Sequence, residues 1–447
     1  MRLSKYLLGA FIAAALVSCG WSPYGRSGFE FPPSAFYPPP PPGETLPQRA
    51  EELLSSGKEL TLDEVLAVTD VLNPLLNAAR KEIDLRGAEA WDAGLYPNPR
   101  FVFEVEEYRT SGGSFNDAKR TGGISQELPL SGRLSAARRL KELEREAAIE
   151  RVRLLRRHTL TRAKLAFLEV LGAQRRVELL RKSEEIARRF HSIAEEKFKN
   201  RAAPEIELLK AAIQKAVLES DLKLAERDAA TARKALAALM GNIDLPFQGV
   251  SGELAEEYET VSLEALRGQV LSEHPGLAAA AKDLEAAGQA IDLARREGWP
   301  DVELTVRGGR GEAGDTVIEA GLSIPIPLFN RNQAKIAAAE AAREQARYAL
   351  DSRRQEVLLD LSRAFANYLS AQERARSYKE EILPKAAKAV EQSEQGFRAG
   401  EFDFLTVLDS QRTAVEAQLA GLAAQLDLEA AAAALEELIG KRLRVLK

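Results

Sequence analysis

Apolar positions recur at every seventh residue along one long stretch of the chain: Leu140, Ala147 and Leu154, then Leu165, Gly172, Leu179, Ile186 and Ile193. That period marks a coiled-coil-like seam. The stretch runs from Pro129 to Pro204 with no proline between them and only two glycines, Gly132 and Gly172. It is rich in Ala, Leu, Glu, Arg and Lys, the strongest helix formers. These features predict one helix over about 131–200, roughly 100 Å long at the α-helical rise. Elsewhere the period is two. RFVFEVEEY, 100–108, sets Phe101, Phe103 and Val105 against Glu104 and Glu106 and predicts a strand. A polar loop, TSGGSFND, leads to a weaker strand over Ile124–Leu128. One helix is expected from Leu60 to about Gly94, opening on the capping pattern Thr61 to Glu64, and another from Glu205 to Met240.

The same succession then returns. Ser262 opens a helix reaching about Gly298, and Trp299-Pro300 stands where Tyr96-Pro97 stood. DVELTVR alternates Val302, Leu304 and Val306 with Glu303, Thr305 and Arg307. After a glycine-rich loop, TVIEAGLSI places Ile318, Ala320, Leu322 and Ile324 on one face. Pro327 to Arg331 parallels Pro129 to Arg133, and FANYLSAQER (365–374) parallels FLEVLGAQRR (167–176), both at an offset of 198. Phe397, Leu408, Leu438 and Gly440 answer Phe198, Leu209, Leu239 and Gly241 at 199. Each half therefore reads helix, β-hairpin, very long helix, helix. The halves are 59–242, with its hairpin at about 100–128, and 262–440, with its hairpin at about 301–325 and long helix at about 331–398. Pro384 interrupts that second long helix and predicts a bend.

Composition narrows the picture further. Aromatic residues are only 6% of 447, which suits long packed helices better than an aromatic core. Lys and Arg (62) nearly cancel Asp and Glu (67) and are interspersed, so no basic face argues for nucleic acid. Residues 1–18 carry Arg2 and Lys5 ahead of an apolar run from Tyr6 to Val17, too short for a span of about 20 residues and matching a signal peptide. The run ends Leu16-Val17-Ser18-Cys19, which resembles a bacterial lipobox. That resemblance implies cleavage before Cys19, a diacylglycerol on its sulfur and an acyl chain on its new amino group; Gly20 resembles the outer-membrane sorting pattern. The other reading is an ordinary signal peptide with an incidental cysteine. Residues 19–58 are Pro-rich and read as a tether or as a linker.

Two hairpins supply four strands of membrane-crossing length with an apolar and a polar side. Four strands cannot close into a barrel, and open edges are not tolerated in lipid. Three copies would give twelve strands, continued by the long helices as a tube. With the lipobox, the repeat and FRAGEFDFLTVLDSQR at 397–412, the chain resembles the TolC-like outer membrane efflux proteins. Tyr96-Pro97-Asn98-Pro99 and Ile324-Pro325-Ile326-Pro327-Leu328-Phe329 are most similar to the branch serving heavy-metal cation exporters. The resemblance implies a mainly α fold with membrane β structure: a homotrimeric, twelve-stranded barrel on an α-helical coiled tunnel. Its partners would be outer-membrane lipid, a periplasmic adaptor (membrane fusion protein) and an inner-membrane pump. It also implies a gate at the turns 200–207 and 399–409. Phe397, Arg398, Gly400, Leu405, Leu408 and Asp409 match the second tip motif, while Phe402 and Thr406 replace an arginine and an aspartate found in some relatives. Glu205, Glu207, Glu401, Asp403 and Asp409 in three copies would favour cations; each also reads as a surface carboxylate or helix cap.

Other signals are weaker. Gly309 to Gly314 spells G-x-G-x-x-G after a strand, but a strand follows where a dinucleotide site needs a helix, so it reads as a hairpin loop. His158, His191 and His274 are isolated, and no P-loop or nucleophile motif is present. No enzyme activity, metal site or cofactor is expected beyond the lipid on Cys19. The alternative is a lipid-anchored periplasmic coiled-coil scaffold or adaptor.

Overall fold

The structure, a computed structural model, describes residues 58–106, 118–254, 261–311, 315–399 and 401–443. The signal sequence, Cys19, the Pro-rich segment, the TSGGSFND loop, Tyr108, residues 312–314 and Gly400 lie outside the described residues. In chain order the elements are α1 (Leu62–Leu72), α2 (Pro74–Asp92), β1 (Arg100–Glu106), β2 (Lys119–Leu128), α3 (Arg133–Lys199), α4 (Glu205–Leu239), α5 (Leu263–Glu273) and α6 (Pro275–Arg296). There follow β3 (Val302–Arg310), β4 (Thr316–Ser323), α7 (Gln333–Ser377), a π-helical turn (Tyr378–Ile382), α8 (Leu383–Ala399) and α9 (Phe404–Ile439). Two compact units cut across the sequence repeats. The first takes Ala79–Arg151 and Pro275–Arg353; the second takes the described residues of Phe31–Ala78, Val152–His274 and Arg354–Lys447.

Thr61 caps α1 as its sequence predicts: its hydroxyl accepts from the Glu64 N–H, and the Glu64 carboxylate accepts from the Thr61 N–H at 2.8 Å. The helix expected to reach Gly94 is instead two helices, α1 and α2. Proline at 74 has no N–H to give and pushes Asn73 out of helical geometry, to φ −61 and ψ 120. Asn73 then serves both helices. Its Oδ1 accepts from the N–H groups of Leu75 and Leu76, and its Nδ2 donates to the Leu239 carbonyl at 2.8 Å. The second repeat breaks the same way at His274 before Pro275, with φ −76 and ψ 119.

Within the first unit, β1, β2, β3 and β4 form one antiparallel sheet in that order. The strand expected over Ile124–Leu128 begins five residues earlier, at Lys119, because β2 pairs residue for residue with β1 down to Glu106. The glycines that weaken its sequence pattern let neighbouring strands close in. A Cβ on Gly123 would lie 2.0 Å from the Val306 carbonyl oxygen, and one on Gly122 would touch the rings of Phe101 and Phe103. Arg133, the first residue of α3, ties both hairpins to that helix, pairing with Glu127 at 3.0 Å and Asp301 at 2.9 Å.

In the second unit, small residues set the helix seams. Leu180 and Ala187 of α3 pack against Leu218 and Ala225 of α4, and Gly172 approaches so closely that a Cβ there would stand 2.4 Å from Leu426. Gly172 is buried as the heptad predicts, but beyond it the buried row falls one residue later than expected. Leu180, Ala187 and Ala194 are buried, while Ile186 and Ile193 are 38% and 41% exposed, and Leu165 is also exposed. Alanine lets two helices approach more closely than isoleucine does, so the antiparallel pair selects the alanine face.

The repeat offset also has a structural cause. It changes from 198 to 199 between FANYLSAQER and Phe397, and the π turn lies between them. There the Leu383 N–H donates to the Tyr378 carbonyl, five residues back, so the turn holds one residue more than an α turn. It is adjacent to Pro384, where the sequence predicts a bend. The proposed match of Gly132-Arg133 to Asn330-Arg331 shifts by two. The residue in left-handed geometry before each long helix is Gly132 (φ +74) in one half and Asn332 (φ +63) in the other. Asparagine is among the few side chains that tolerate that region.

Two buried ion pairs cross the second unit. Arg156 Nε meets Asp70 Oδ1 at 3.0 Å, and Lys164 Nζ meets Glu436 Oε2 at 2.6 Å; the Glu436 Oε1 also accepts from the Leu443 N–H at 2.9 Å. Removing one member of such a pair strands a buried charge, at a cost of about 3–5 kcal/mol. Lys164→Met is accordingly expected to lose about that much in chemical denaturation of the detergent-solubilised protein. Lys164→Met/Glu436→Gln, which keeps an acceptor for Leu443, is expected to regain most of it.

Candidate functional site

The sheet sorts its side chains into two faces. Register places Phe101, Phe103 and Val105 beside Ile124, Leu304, Val306, Ile318, Ala320 and Leu322, and most of these are exposed in the single chain. The opposite face holds Glu104, Glu106, Lys119, Thr121, Ser125, Glu303, Arg307 and Glu319. Its charges pair across the strands. Lys119 bridges Glu106 at 2.9 Å and Glu319 at 2.6 Å, Arg307 meets Glu104, and Arg100 reaches Glu303 at 3.0 Å. One side is built for hydrocarbon and the other for water and ions. Gly309 and Arg310, read in sequence as part of a loop, are the last residues of β3. Of the aromatic residues expected at the hairpin ends, Trp299 and Tyr96 are exposed and Trp91 is half-buried.

The second region is the pair of turns joining α3 to α4 and α8 to α9. The α3 end is closed by a Schellman arrangement. The Ala202 N–H donates to the Lys197 carbonyl and the Arg201 N–H to that of Phe198, with Arg201 left-handed at φ +56. Pro204 then leads into α4. At the other turn the Glu401 and Phe402 N–H groups both donate to the Gly396 carbonyl, and the Phe402 ring lies where a Cβ on Gly396 would be. An apolar cluster holds the two turns together: Phe190 and Ala194 of α3, Leu208 and Ala211 of α4, Phe397 of α8, and Phe404 and Leu408 of α9. The Phe404 ring, 2% exposed, packs against Phe190 at 5.7 Å and Phe397 at 5.9 Å between centroids. Lys197 Nζ sits 4.2 Å above the Phe397 ring.

Against this frame the residues singled out from sequence separate. Phe397 belongs to the aromatic cluster. Arg398 is exposed, 3.9 Å from Glu394 on its own helix, and Gly400 lies outside the described residues. Asp403 is the N-cap of α9, its Oδ1 accepting from the Thr406 N–H at 2.9 Å and from the Thr406 hydroxyl. Asp409 is exposed and paired with Arg412 at 2.8 Å. Glu205 and Glu207 lie in the first turn of α4, where the helix dipole favours carboxylates. The sequence reading missed Phe190, Phe404 and Lys197. The signal for the two aromatics was five phenylalanines, Phe190, Phe198, Phe397, Phe402 and Phe404, gathered near two turns in a chain poor in aromatics.

Greasy and charged faces on one sheet, with long antiparallel helices meeting at an aromatic-packed pair of turns, define a membrane-channel fold. The chain belongs to the outer membrane efflux protein family, whose pattern it matches twice, over 69–242 and 266–441. It is similar to the cobalt-zinc-cadmium resistance protein CzcC of Cupriavidus metallidurans, 29% identical over 389 residues that cover 86% of this chain and 90% of CzcC. It is also similar to the pyoverdine export outer membrane protein OpmQ of Pseudomonas putida, 23% identical over 470 residues, 98% of each. Among solved structures, CusC superimposes with a TM-score of 0.72 at 16% identity, over 92% of this chain and 95% of CusC. The outer membrane protein VceC of Vibrio cholerae gives 0.70 at 18%, over 86% and 96%. The scaffold or adaptor alternative gives way to this family assignment, and the protein's place is the outer membrane.

The Thr406 hydroxyl and then its N–H, both donating, hold the Asp403 carboxyl below the usual carboxylate range. A carboxyl lowered on folding stabilises the fold above its ordinary value and loses that contribution as pH falls through the lowered one. Hydrogen-exchange protection in the first turn of α9 is therefore expected to drop below about pH 4. Asp403→Asn, still a good cap, is expected to keep much of the protection and to lose its pH dependence.

Proposed function

We propose that three copies of the chain close a twelve-stranded barrel and a helical tube, forming the exit duct of a tripartite efflux system. The observation that carries this reading is the sheet: one face apolar and exposed, the other charged, with β1 and β4 as its outer strands. Joining β4 of one copy to β1 of the next satisfies both edges and turns the charged face inward. Substrate then passes down a water-filled path without catalysis, handed over by a periplasmic adaptor and an inner-membrane pump at the two helix turns. The lumenal face would carry Glu104, Glu106, Glu127, Glu303 and Glu319 against Arg100, Lys119 and Arg307, five carboxylates to three cations. That surplus favours cations and supports metal-cation cargo, the class named in CzcC. Asp409, Glu205 and Glu207, repeated three times at the turns, would add to it.

Mass photometry of the detergent-solubilised protein is expected to give three copies, and bilayer recordings a reversal potential biased towards cations. Asp409→Asn is expected to reduce that bias. A monomer that forms no conducting unit would sink the duct; an unchanged reversal potential would remove Asp409 from the ring.

Cys19, we infer, anchors the chain through covalent lipid, supported by its place in the lipobox-like Leu16-Val17-Ser18-Cys19. Metabolic labelling with a palmitate analogue is expected to mark the natural protein and leave Cys19→Ser unlabelled.

A further inference from the structure

On the charged face of the sheet Lys119 holds two carboxylates at once. It is the first residue of β2, and its register partner is Glu106, the last residue of β1. Its Nζ lies 2.9 Å from Glu106 Oε2 and 2.6 Å from Glu319 Oε1. Glu106 is on the neighbouring strand, but Glu319 is on β4, so the Lys119 side chain reaches over β3. Its path is open because β3 carries Gly309 on that face, two residues from Arg307. A Cβ at 309 would stand 1.8 Å from the Arg120 carbonyl oxygen, which keeps the position free of any side chain.

Ionised carboxylates offer only acceptors, and two of them converging on one point are what a divalent cation takes as ligands. A metal ion bonded to both at about 2.0–2.6 Å would need them only slightly closer than the ammonium does. On a lumenal face such a pair, left bare, is where a passing cation would stop. Conduction needs sites that attract an ion and still release it. Lys119 fills this one with a compact cation that cannot leave, because it is tethered to β2. Glu106 and Lys119 stand at the end of the sheet where both hairpins turn, away from the helices. Three copies would therefore set three such pairs around the mouth of the duct.

We propose that Lys119 is a selectivity residue at that mouth: a tethered cation that occupies the Glu106–Glu319 pair, so that divalent metal cations pass without being retained. The role rests on the barrel reading, under which this face lines the lumen.

Currents of the full-length protein in planar bilayers are recorded while Zn2+ is added. Lys119→Met, which bares the pair, is expected to be blocked at a Zn2+ concentration at least about ten-fold lower than the natural protein. Lys119→Arg, which keeps a cation in place, is expected to match the natural protein. Lys119→Met/Glu319→Gln, which restores the charge balance and leaves a single carboxylate, is expected to return to natural behaviour. Arg307→Gln removes a cation from the same face while Lys119 stays on its pair, and is expected to move the Zn2+ threshold less than about two-fold. A Lys119→Met channel no more sensitive than the natural one would overturn the proposal. So would an equal gain in Arg307→Gln, which would reduce the effect to overall charge. Should Lys119→Met fail to assemble, Lys119→Gln is expected to gain at least about three-fold in sensitivity, and no gain there would count equally against the role. A natural protein that conducts beside an unresponsive Lys119→Met defeats only the role of Lys119. A natural protein that fails to insert or conduct defeats the barrel, and the proposal with it.

Discussion

Backbone groups that have lost their regular partner govern this chain. A carbonyl or N–H left without a hydrogen bond is costly wherever water is excluded, and the departures from regular structure described above occur where one must be rehoused. Pro74 and Pro275 break the short helices because neither can donate, and Asn73 takes up the loose ends with its own amide. Near Pro384 the second long helix stays continuous by widening to a π turn, where the Leu383 N–H reaches Tyr378. The α3 end is closed by the N–H groups of Arg201 and Ala202, and the other turn by two N–H groups on the Gly396 carbonyl. At the sheet the same constraint acts outside the chain. β1 and β4 have one neighbour each, so in hydrocarbon their outer edges call for another copy.

Much of this was legible in sequence because strands and long helices write their period directly into the order of residues. Phe101, Phe103, Val105, Val302, Leu304, Val306, Ile318, Ala320 and Leu322 alternate plainly, and the register puts all of them on one face. Beyond Gly172 the seam of α3 lies one residue later than the heptad, for a physical reason. Periodicity weighs a residue by its hydrophobicity, whereas two helices in close contact select for small size, so Ala187 and Ala194 win over Ile186 and Ile193. The start of β2 was missed because Gly122 and Gly123 carry no period. Their contribution, close strand approach, shows only when the neighbour is in place. The ion pairs Arg156–Asp70 and Lys164–Glu436 were invisible for a similar reason: 86 and 272 residues separate their members.

The helix turns show how a motif can be matched while its residues do different work. Phe397 and Leu408 lie in the aromatic cluster, yet their counterparts Phe198 and Leu209 are 40% and 50% exposed. At these turns the repeat is therefore kept in sequence position and unequal in packing. One half supplies Phe404 as the centre of the cluster, and its counterpart in the other half is Glu205, at the start of α4. Asp403 is likewise committed to Thr406, whose N–H and hydroxyl both donate to it. A carboxylate that already holds a helix end faces a cost in leaving it to meet a passing ion.

That division of labour bears on where a cation would be favoured. At the turns the carboxylates are exposed or engaged locally: Asp409 with Arg412 three residues on, Asp403 with its own helix end. Exposed pairs in water interact weakly and are screened by salt. On the charged face of the sheet, Glu106, Lys119 and Glu319 touch in sequence across strands, and Arg307 and Glu104 continue the row. Two cations there are shared among three carboxylates. Inside a closed barrel with low-dielectric walls such a surplus is felt further than the same charge at an open end. If three copies close the sheet, the larger share of a bias towards cations belongs to the barrel, and the exposed carboxylates of the turns add a smaller one.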